Sequence, residues 1–313
     1  MIRQQVRIGT RASKLALAQA GWVRTRIAAA LEGGQGAAPL IHITTSGDRI
    51  LDRPLTEVGG KGLFTKEIEE ALLGGRIDCA IHSLKDMPAQ APPGLVIAAV
   101  TEREDPRDAF LSMAFETLDA LPRGARLGTA SLRRQAQALH RRPDLFITPL
   151  RGNVDSRIAK LERGEAEAII LAAAGLNRLG LGHLAKGLID PAECPPAPGQ
   201  GALAIQTRTA DVDAPWLADL RHVATTLAVA AERGALEALE GSCRTAVGAY
   251  GCIEGGRLLL IVEALTADGA RRFRRRGEAD IGGAEMESSA RALGLRLGEE
   301  VREEGGEALL APG

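Results

Sequence analysis

A chain of 313 residues exceeds one typical core and predicts two or three domains, which its 45% apolar content is enough to fill. The formal net charge of −1 supplies no bulk basic field for nucleic acid or a membrane surface, so positive charge has to act locally. Only six of the 39 basic residues are lysine; the rest are arginine, whose planar fork suits carboxylate or phosphate, and their positions say more than their number.

The chain begins with MIRQQVRIGTRASK, charged throughout and without the apolar stretch of a signal peptide, and its longest apolar run (168–176) is far short of a membrane span. A soluble, cytoplasmic protein is expected. Strand-like VRIG leads through Arg11 to Ser13, which is placed to cap a helix over 13–31. Strand-like LIHITT (40–45) follows, then a glycine-bearing stretch over 48–64 that reads as a mobile loop and candidate lid. Its GGKG run (59–62) lacks the GxxxxGK[ST] spacing of a phosphate loop. Phe64 opens a helix over 64–73 and suits either a stacking role or a place in the core.

The next strand, DCAIHS, ends in LKDMP, so Lys85 and Asp86 lie just beyond the carboxyl end of a strand, where open α/β sheets bind ligands. A carboxylate there can work on a cation; the alternative is a turn-forming Asp in a surface ion pair. Cys79 reads as core, and His82, three residues on, points to the opposite face, which argues against a metal pair. Strand LVIAAV (95–100) and the polar run 101–108 suggest a hinge at 100–107.

A second alternating unit covers 109–189 and contains GTASLRRQ (128–135) and PLRGNVDSRIAKL (149–161). Each places arginines beside a helix start capped by Ser131 or Asn153, where unpaired backbone amides attract anions. With the Arg11–Ser13 start this makes three such sites and suggests a polyanionic ligand. PAECPPAPGQG (191–201) breaks the pattern, and ALAIQT (202–207) reads as a strand returning to the first unit. A helix over 223–240 then leads to LEGSCRTAVG, where Cys243 beside Arg244 is either an attachment point or a small apolar loop residue. The four cysteines show no CxxC pairing, so free thiols are expected; Cys252, like Cys79, reads as core. Strands over 246–253, 257–265 and 270–276 and a helix over 284–303 complete a smaller α+β region. Its RRFRRR run (271–276) reads as a water-facing strand balanced by Glu278 and Asp280.

HSLKDMP, REDPRDAF, GTASLRRQ, RRPDL, LRGNVDSR, AAAGLNRLG, PAPGQGA and LEGSC stand in an order and spacing that resembles the porphobilinogen deaminase (hydroxymethylbilane synthase) family along nearly the whole chain. The resemblance implies an α/β fold of two periplasmic-binding-protein-like domains joined by a double hinge, with a cleft between them and a small C-terminal α+β domain. The boundaries expected are 1–101 with 199–221, 102–198, and 222–313. It further implies a transferase that joins four porphobilinogen molecules head to tail, releasing ammonia at each step. The product is hydroxymethylbilane, for porphyrin and haem biosynthesis. The reaction would start from a dipyrromethane primer on a thioether to Cys243, with no metal, and the enzyme would be a monomer without nucleic-acid or membrane partners. On the same resemblance Asp86 is catalytic. Lys85, Thr129, Ser131, Arg133, Arg134 and Gln19 hold the primer, and Arg11, Ser13, Arg151, Arg157 and Phe64 hold substrate.

The chain departs from the family pattern in three places. Ser242 precedes Cys243, Thr245 and Ala246 replace the usual Val-Pro pair, and Glu57 stands where relatives carry Lys. The main rival is a non-enzymatic two-lobed binding protein for a small polycarboxylate, which needs neither Asp86 beside Lys85 nor a modifiable Cys243. A phosphoryl-transfer enzyme is disfavoured by the missing phosphate loop.

Overall fold

The computed structural model describes residues 5–49, 64–239, 246–283 and 285–309. Cys243, Ser242, Thr245, Glu57 and nearly all of the 48–64 stretch therefore lie outside the described residues. In chain order the elements begin with β1 (Ile8–Thr10), α1 (Lys14–Ala29), β2 (Leu40–His42), α2 (Lys66–Leu73), β3 (Cys79–Ser83) and β4 (Leu95–Val100). Next come β5 (Asp108–Ser112), β6 (Arg126–Gly128), α3 (Leu132–Arg141), β7 (Phe146–Thr148), α4 (Val154–Glu162), β8 (Ala168–Ala172), α5 (Ala173–Arg178) and β9 (Gly187–Leu188). The chain closes with β10 (Leu203–Arg208), α6 (Val223–Leu239), β11 (Ala246–Glu254), β12 (Arg257–Leu265), β13 (Arg272–Asp280) and α7 (Met286–Gly305).

Two compact units result, one from Met1–Arg103 with Ala202–Thr226, the other from Glu104–Gly201 with Leu227–Gly313. The first holds a five-stranded sheet in the order β2-β1-β3-β10-β4. Strands β1, β2 and β3 run parallel, but β10 pairs antiparallel with both β3 and β4. The return of ALAIQT to this sheet is as the sequence suggests, while a purely parallel architecture is not: the returning segment enters from the far end. The second unit repeats the plan in the order β7-β6-β8-β5-β9, with β6, β7 and β8 parallel and β5 antiparallel to β8 and β9.

Both sheets bury two faces. In the first unit Cys79 and Ile81 face the cluster around α1, whereas Ala80 joins the cluster on α2. Since alternate residues point to opposite sides, His82 lies on the α2 side, away from Cys79, as the spacing predicts. In the second unit Ala109, Leu111, Ile169 and Leu171 face one cluster, and Phe110, Ala168 and Ile170 the other.

The second unit also carries the antiparallel sheet β11-β12-β13. Leu258, Leu260, Val262, Ala264 and Phe273 cover one face together with α6 and α7. Cys252 is only half-buried, its thiol 3.5 Å from Glu254 Oε1, so it is not the core residue its apolar neighbours suggest. The RRFRRR reading also needs correction. Glu278 and Asp280 pair with Arg257, at 2.7 and 3.3 Å, and not with the run. Arg275 turns to Glu300 and Glu304 on α7, while Arg274 reaches the buried Glu263 and the carbonyl oxygens of Ala192 and Glu193.

Glu232, fully buried on α6, accepts the backbone amides of Gly199 at 2.6 Å and Gly251 at 2.8 Å, tying the 191–201 segment to β11. Helices α6 and α7 meet through backbone: a Cβ at Gly294 would stand 1.9 Å from the Ala231 carbonyl oxygen. Gly294→Ala must push the helices apart and is expected to lower unfolding free energy by roughly 1–3 kcal/mol in a urea titration. Gly21→Ala, on α1 with no heavy atom within 4 Å of the new methyl, is expected to leave stability unchanged or raise it.

Candidate functional site

In the first unit the parallel strands end at one edge, and the segments leaving that edge bring the predicted residues with them. After β1 comes Arg11, then Ser13, whose Oγ accepts the amide of Ala16 at 3.3 Å and caps α1. The Arg11 guanidinium lies 4.3 Å above the ring of Phe64, so the half-buried Phe64 supports an arginine at this edge. After β3 the chain makes a 3₁₀ turn over Leu84–Asp86. Leu84 is buried beneath it, Lys85 is half-buried and the Asp86 carboxylate is exposed. Gln19 Nε2 donates to Ser83 Oγ at 2.9 Å and fixes α1 against the end of β3. Gln19 is thus a buried support for the edge, only 5% exposed.

Behind that turn lies a buried polar row. His82 Nε2 donates to Gln206 Oε1 at 3.1 Å, and Gln206 Nε2 donates to Glu69 Oε1 at 3.1 Å. Burial lowers the His82 pKa to about 4; the Gln206 hydrogen bond opposes this weakly and the nearby Arg11 charge adds to it. His82 is therefore neutral at pH 7 and unsuited to supplying protons there. Sequence inspection, which dismissed His82 as a metal ligand, had no way to see this role, since Gln206 is 124 residues away.

The second unit presents a comparable edge after β6 and β7. Thr129, buried, accepts the Ser131 amide through Oγ1 at 3.1 Å, and Ser131 caps α3 by accepting the Arg134 amide at 3.4 Å. Asn153 caps α4 through the Ser156 amide at 2.9 Å. Gly152, at φ 116°, takes a turn that an L side chain would strain, and a Cβ there would strike Ser156 Oγ. Arg151 is half-buried at this turn, and Arg157 donates through Nε to the Gly152 carbonyl at 2.8 Å.

Arg133 and Arg134 have a different environment from the one their motif suggests. Both are 6% exposed and converge on Asp108 at the start of β5, which was not among the predicted site residues. Arg133 Nη1 lies 2.8 Å from Asp108 Oδ2 and also donates to Gln137 Oε1 and the Pro195 carbonyl. Arg134 donates to Asp108 Oδ1 through Nη2 at 2.7 Å and through Nε at 3.2 Å, and to the Ile170 carbonyl through Nη1. Gln200 Nε2 adds a bond to Asp108 Oδ1 at 2.9 Å. Burial alone would push the Asp108 carboxyl up, but the two guanidinium charges and their hydrogen bonds outweigh it and hold the carboxyl far below its usual range. In this structure the two arginines are internal partners of a buried carboxylate. The signal missed in sequence is the Asp in REDPRD, which reads as part of a polar hinge.

The two edges share one chemistry: guanidinium, ammonium and hydroxyl groups at capped helix starts. That donor set fits a ligand rich in carboxylates.

Comparison with known proteins agrees with that chemistry. Residues 6–215 match the family model described as porphobilinogen deaminase, dipyromethane cofactor binding domain, and residues 226–303 match porphobilinogen deaminase, C-terminal domain. The porphobilinogen deaminase of Caulobacter sp. (strain K31) is 68% identical over 315 residues, 99% of each chain. That of Caulobacter vibrioides (strain NA1000 / CB15N) is 67% identical, covering 98% of each. That of Phenylobacterium zucineum (strain HLK1) is 64% identical, covering 97% of this chain and 98% of its own. Among solved structures, the methionine binding protein MetQ is 15% identical with a TM-score of 0.45, over 70% of this chain and 89% of its own.

The buried histidine gives a pH test. The unfolded chain takes a proton at His82 near pH 6.5, whereas the folded one resists it until about pH 4. Stability should therefore fall as pH drops through this window, with up to roughly 3 kcal/mol of the loss due to His82. Urea unfolding at pH 7.5 and 4.5 should show a smaller difference for His82→Gln than for wild type; equal differences would contradict the assignment.

Proposed function

The chain belongs to the porphobilinogen deaminase family, and on that premise we propose that it condenses four porphobilinogen molecules head to tail into hydroxymethylbilane, with Asp86 serving the charged stages of each addition. The observation that carries this reading is the first-unit edge, which gathers Arg11, Ser13, Lys85 and the exposed Asp86 at the carboxyl ends of adjacent parallel strands β1 and β3. A receptor for a polycarboxylate needs the cations; it does not need a solvent-facing carboxylate among them.

Each unit contributes in its own way. Arg11 and Ser13 bind the acetate and propionate arms of the substrate, and Phe64 holds Arg11 in place through its ring. Arg151 does the same from the turn preceding α4, and Arg157 from the first turn of α4 itself. Lys85, Thr129, Ser131 and Arg133 hold the carboxylates of the dipyrromethane, which Cys243 carries as a thioether. Arg133 bonds Asp108, Gln137 and the Pro195 carbonyl through Nη1, and on this proposal its Nε and Nη2 serve the ligand. Arg134 spends all three nitrogens internally and acts as a positioning residue, as Gln19 does beneath β3. When bound, the dipyrromethane supplies the pyrrole carbon at which the first addition occurs.

The chemistry asked of Asp86 is electrostatic. The aminomethyl C–N bond of porphobilinogen breaks, ammonia leaves, and the substrate becomes an azafulvenium cation. A new C–C bond forms at that carbon, and the attacking ring then loses its proton. Positive charge develops at both stages, and a fixed carboxylate accepting a pyrrole N–H hydrogen bond stabilises it without forming a bond itself.

The same proposal divides the chain into three domains (1–101 with 199–221, 102–198, and 222–313), supported by the three separate sheets. It has the protein acting as a monomer in the cytoplasm without nucleic acid.

Asp86→Asn keeps size and hydrogen bonding but removes the charge. Ammonia release from porphobilinogen should fall by about 10²–10³-fold while unfolding free energy stays within about 0.5 kcal/mol of wild type. Turnover within a few-fold of wild type would remove Asp86 from the mechanism.

A further inference from the structure

The corrected RRFRRR strand borders a cavity of about 460 Å³ within the second unit, far along the chain from either sheet edge. Alternation along β13 places Arg272, Arg274 and Arg276 on the face opposite Phe273, and all three line this cavity. Helix α3 adds His140 and Arg141 from its C-terminal turn, and β12 adds Glu263. His140 is oriented by its Nδ1, which donates to the Gly269 carbonyl at 2.8 Å.

Four guanidiniums meet two carboxylates, Glu263 and Glu193, among the lining residues. Glu263, 1% exposed, is committed to Arg274, whose Nε lies 2.9 Å away, and to Gln137 Nε2 at 3.0 Å. Arg272 stays 3.9 Å from Glu263, beyond hydrogen-bond distance, and Arg276 reaches the Ala192 carbonyl only at 3.5 Å. Arg141 shares itself between Asp119 and Glu193 on the rim. The inner arginine, Arg274, is structural; the outer pair, Arg272 and Arg276, is exposed and flanks it on one strand face, four residues apart. That arrangement leaves surplus positive charge around a recess large enough for a small molecule.

We propose that this cavity is a second anion site, built for one compact oxyanion of two or more negative charges, phosphoryl or carboxylate, held between Arg272 and Arg276 of β13 and Arg141 of α3. Bound there, the anion links the last turn of α3 to the third sheet and reinforces the junction already made by Gln137 and Glu263.

The test titrates the primer-loaded enzyme calorimetrically with pyrophosphate and, separately, with citrate, at low ionic strength. Wild type should take up one equivalent of at least one probe at this cavity, and the preferred probe identifies phosphoryl or carboxylate as the natural chemistry. Affinity should fall at least tenfold in Arg272→Ala/Arg276→Ala, partly recover in Arg272→Lys/Arg276→Lys, and persist in Arg151→Ala. The double-alanine variant should keep its porphobilinogen turnover, which shows that it is folded. Absence of uptake by both probes would overturn the proposal, as would uptake indifferent to the double substitution or abolished by Arg151→Ala.

Discussion

Taking a carboxylate out of water costs several kcal/mol unless charge and hydrogen bonds replace what water supplied, and Asp108, 3% exposed, is placed where this has to be met. Arg133 and Arg134 come from the first turn of α3, and Gln200 comes from the segment that leads back to the first unit. Removing any one partner would leave a buried charge under-compensated. The same contacts therefore fix the start of β5, the first turn of α3 and the end of the 191–201 segment together. Thr129 and Ser131 stand at the same helix start, tied to it by their hydrogen bonds to the Ser131 and Arg134 amides, and inherit its rigidity.

That arrangement gives the second unit a rigid layer beneath an open one. The buried arginines orient the helix start, while Arg151, on a turn made possible by Gly152, and Arg157, in the first turn of α4, are only half-buried. The first unit does the same with different groups: Gln19 and Ser83 lock α1 to β3, and neutral His82, bonded to Gln206, supports β3 without adding a positive charge there. A charged histidine close behind Arg11 would raise the cost of that cluster. Glu232 extends the theme, because a carboxylate buried on α6 is satisfied by backbone amides from two separate segments.

Local features were legible in the sequence. Ser13, Ser131 and Asn153 cap the helices their spacing announces, and the strand return at β10 follows from the break at 191–201. Hidden were the long-range pairings. Asp108 is 25 residues from Arg133, and nothing local distinguishes an arginine that faces ligand from one that faces a buried Asp. The β13 charges were misassigned for the same reason. Glu278 and Asp280 are near in sequence, but the register of β12 against β13 gives them to Arg257 and puts Glu263 opposite Arg274. Gln206 and Glu232 likewise read as ordinary strand and helix residues until their partners are in place.

The central claim is that these cationic edges serve a carboxylate-rich primer fixed to Cys243, and the most direct test is the intact mass of the purified protein beside Cys243→Ala. The account predicts wild type heavier than its bare chain by two linked pyrrole units, with the added mass on the tryptic peptide containing Cys243 and absent from the variant. A wild-type chain that stays unmodified after incubation with porphobilinogen, or a variant that carries the same added mass, would contradict it.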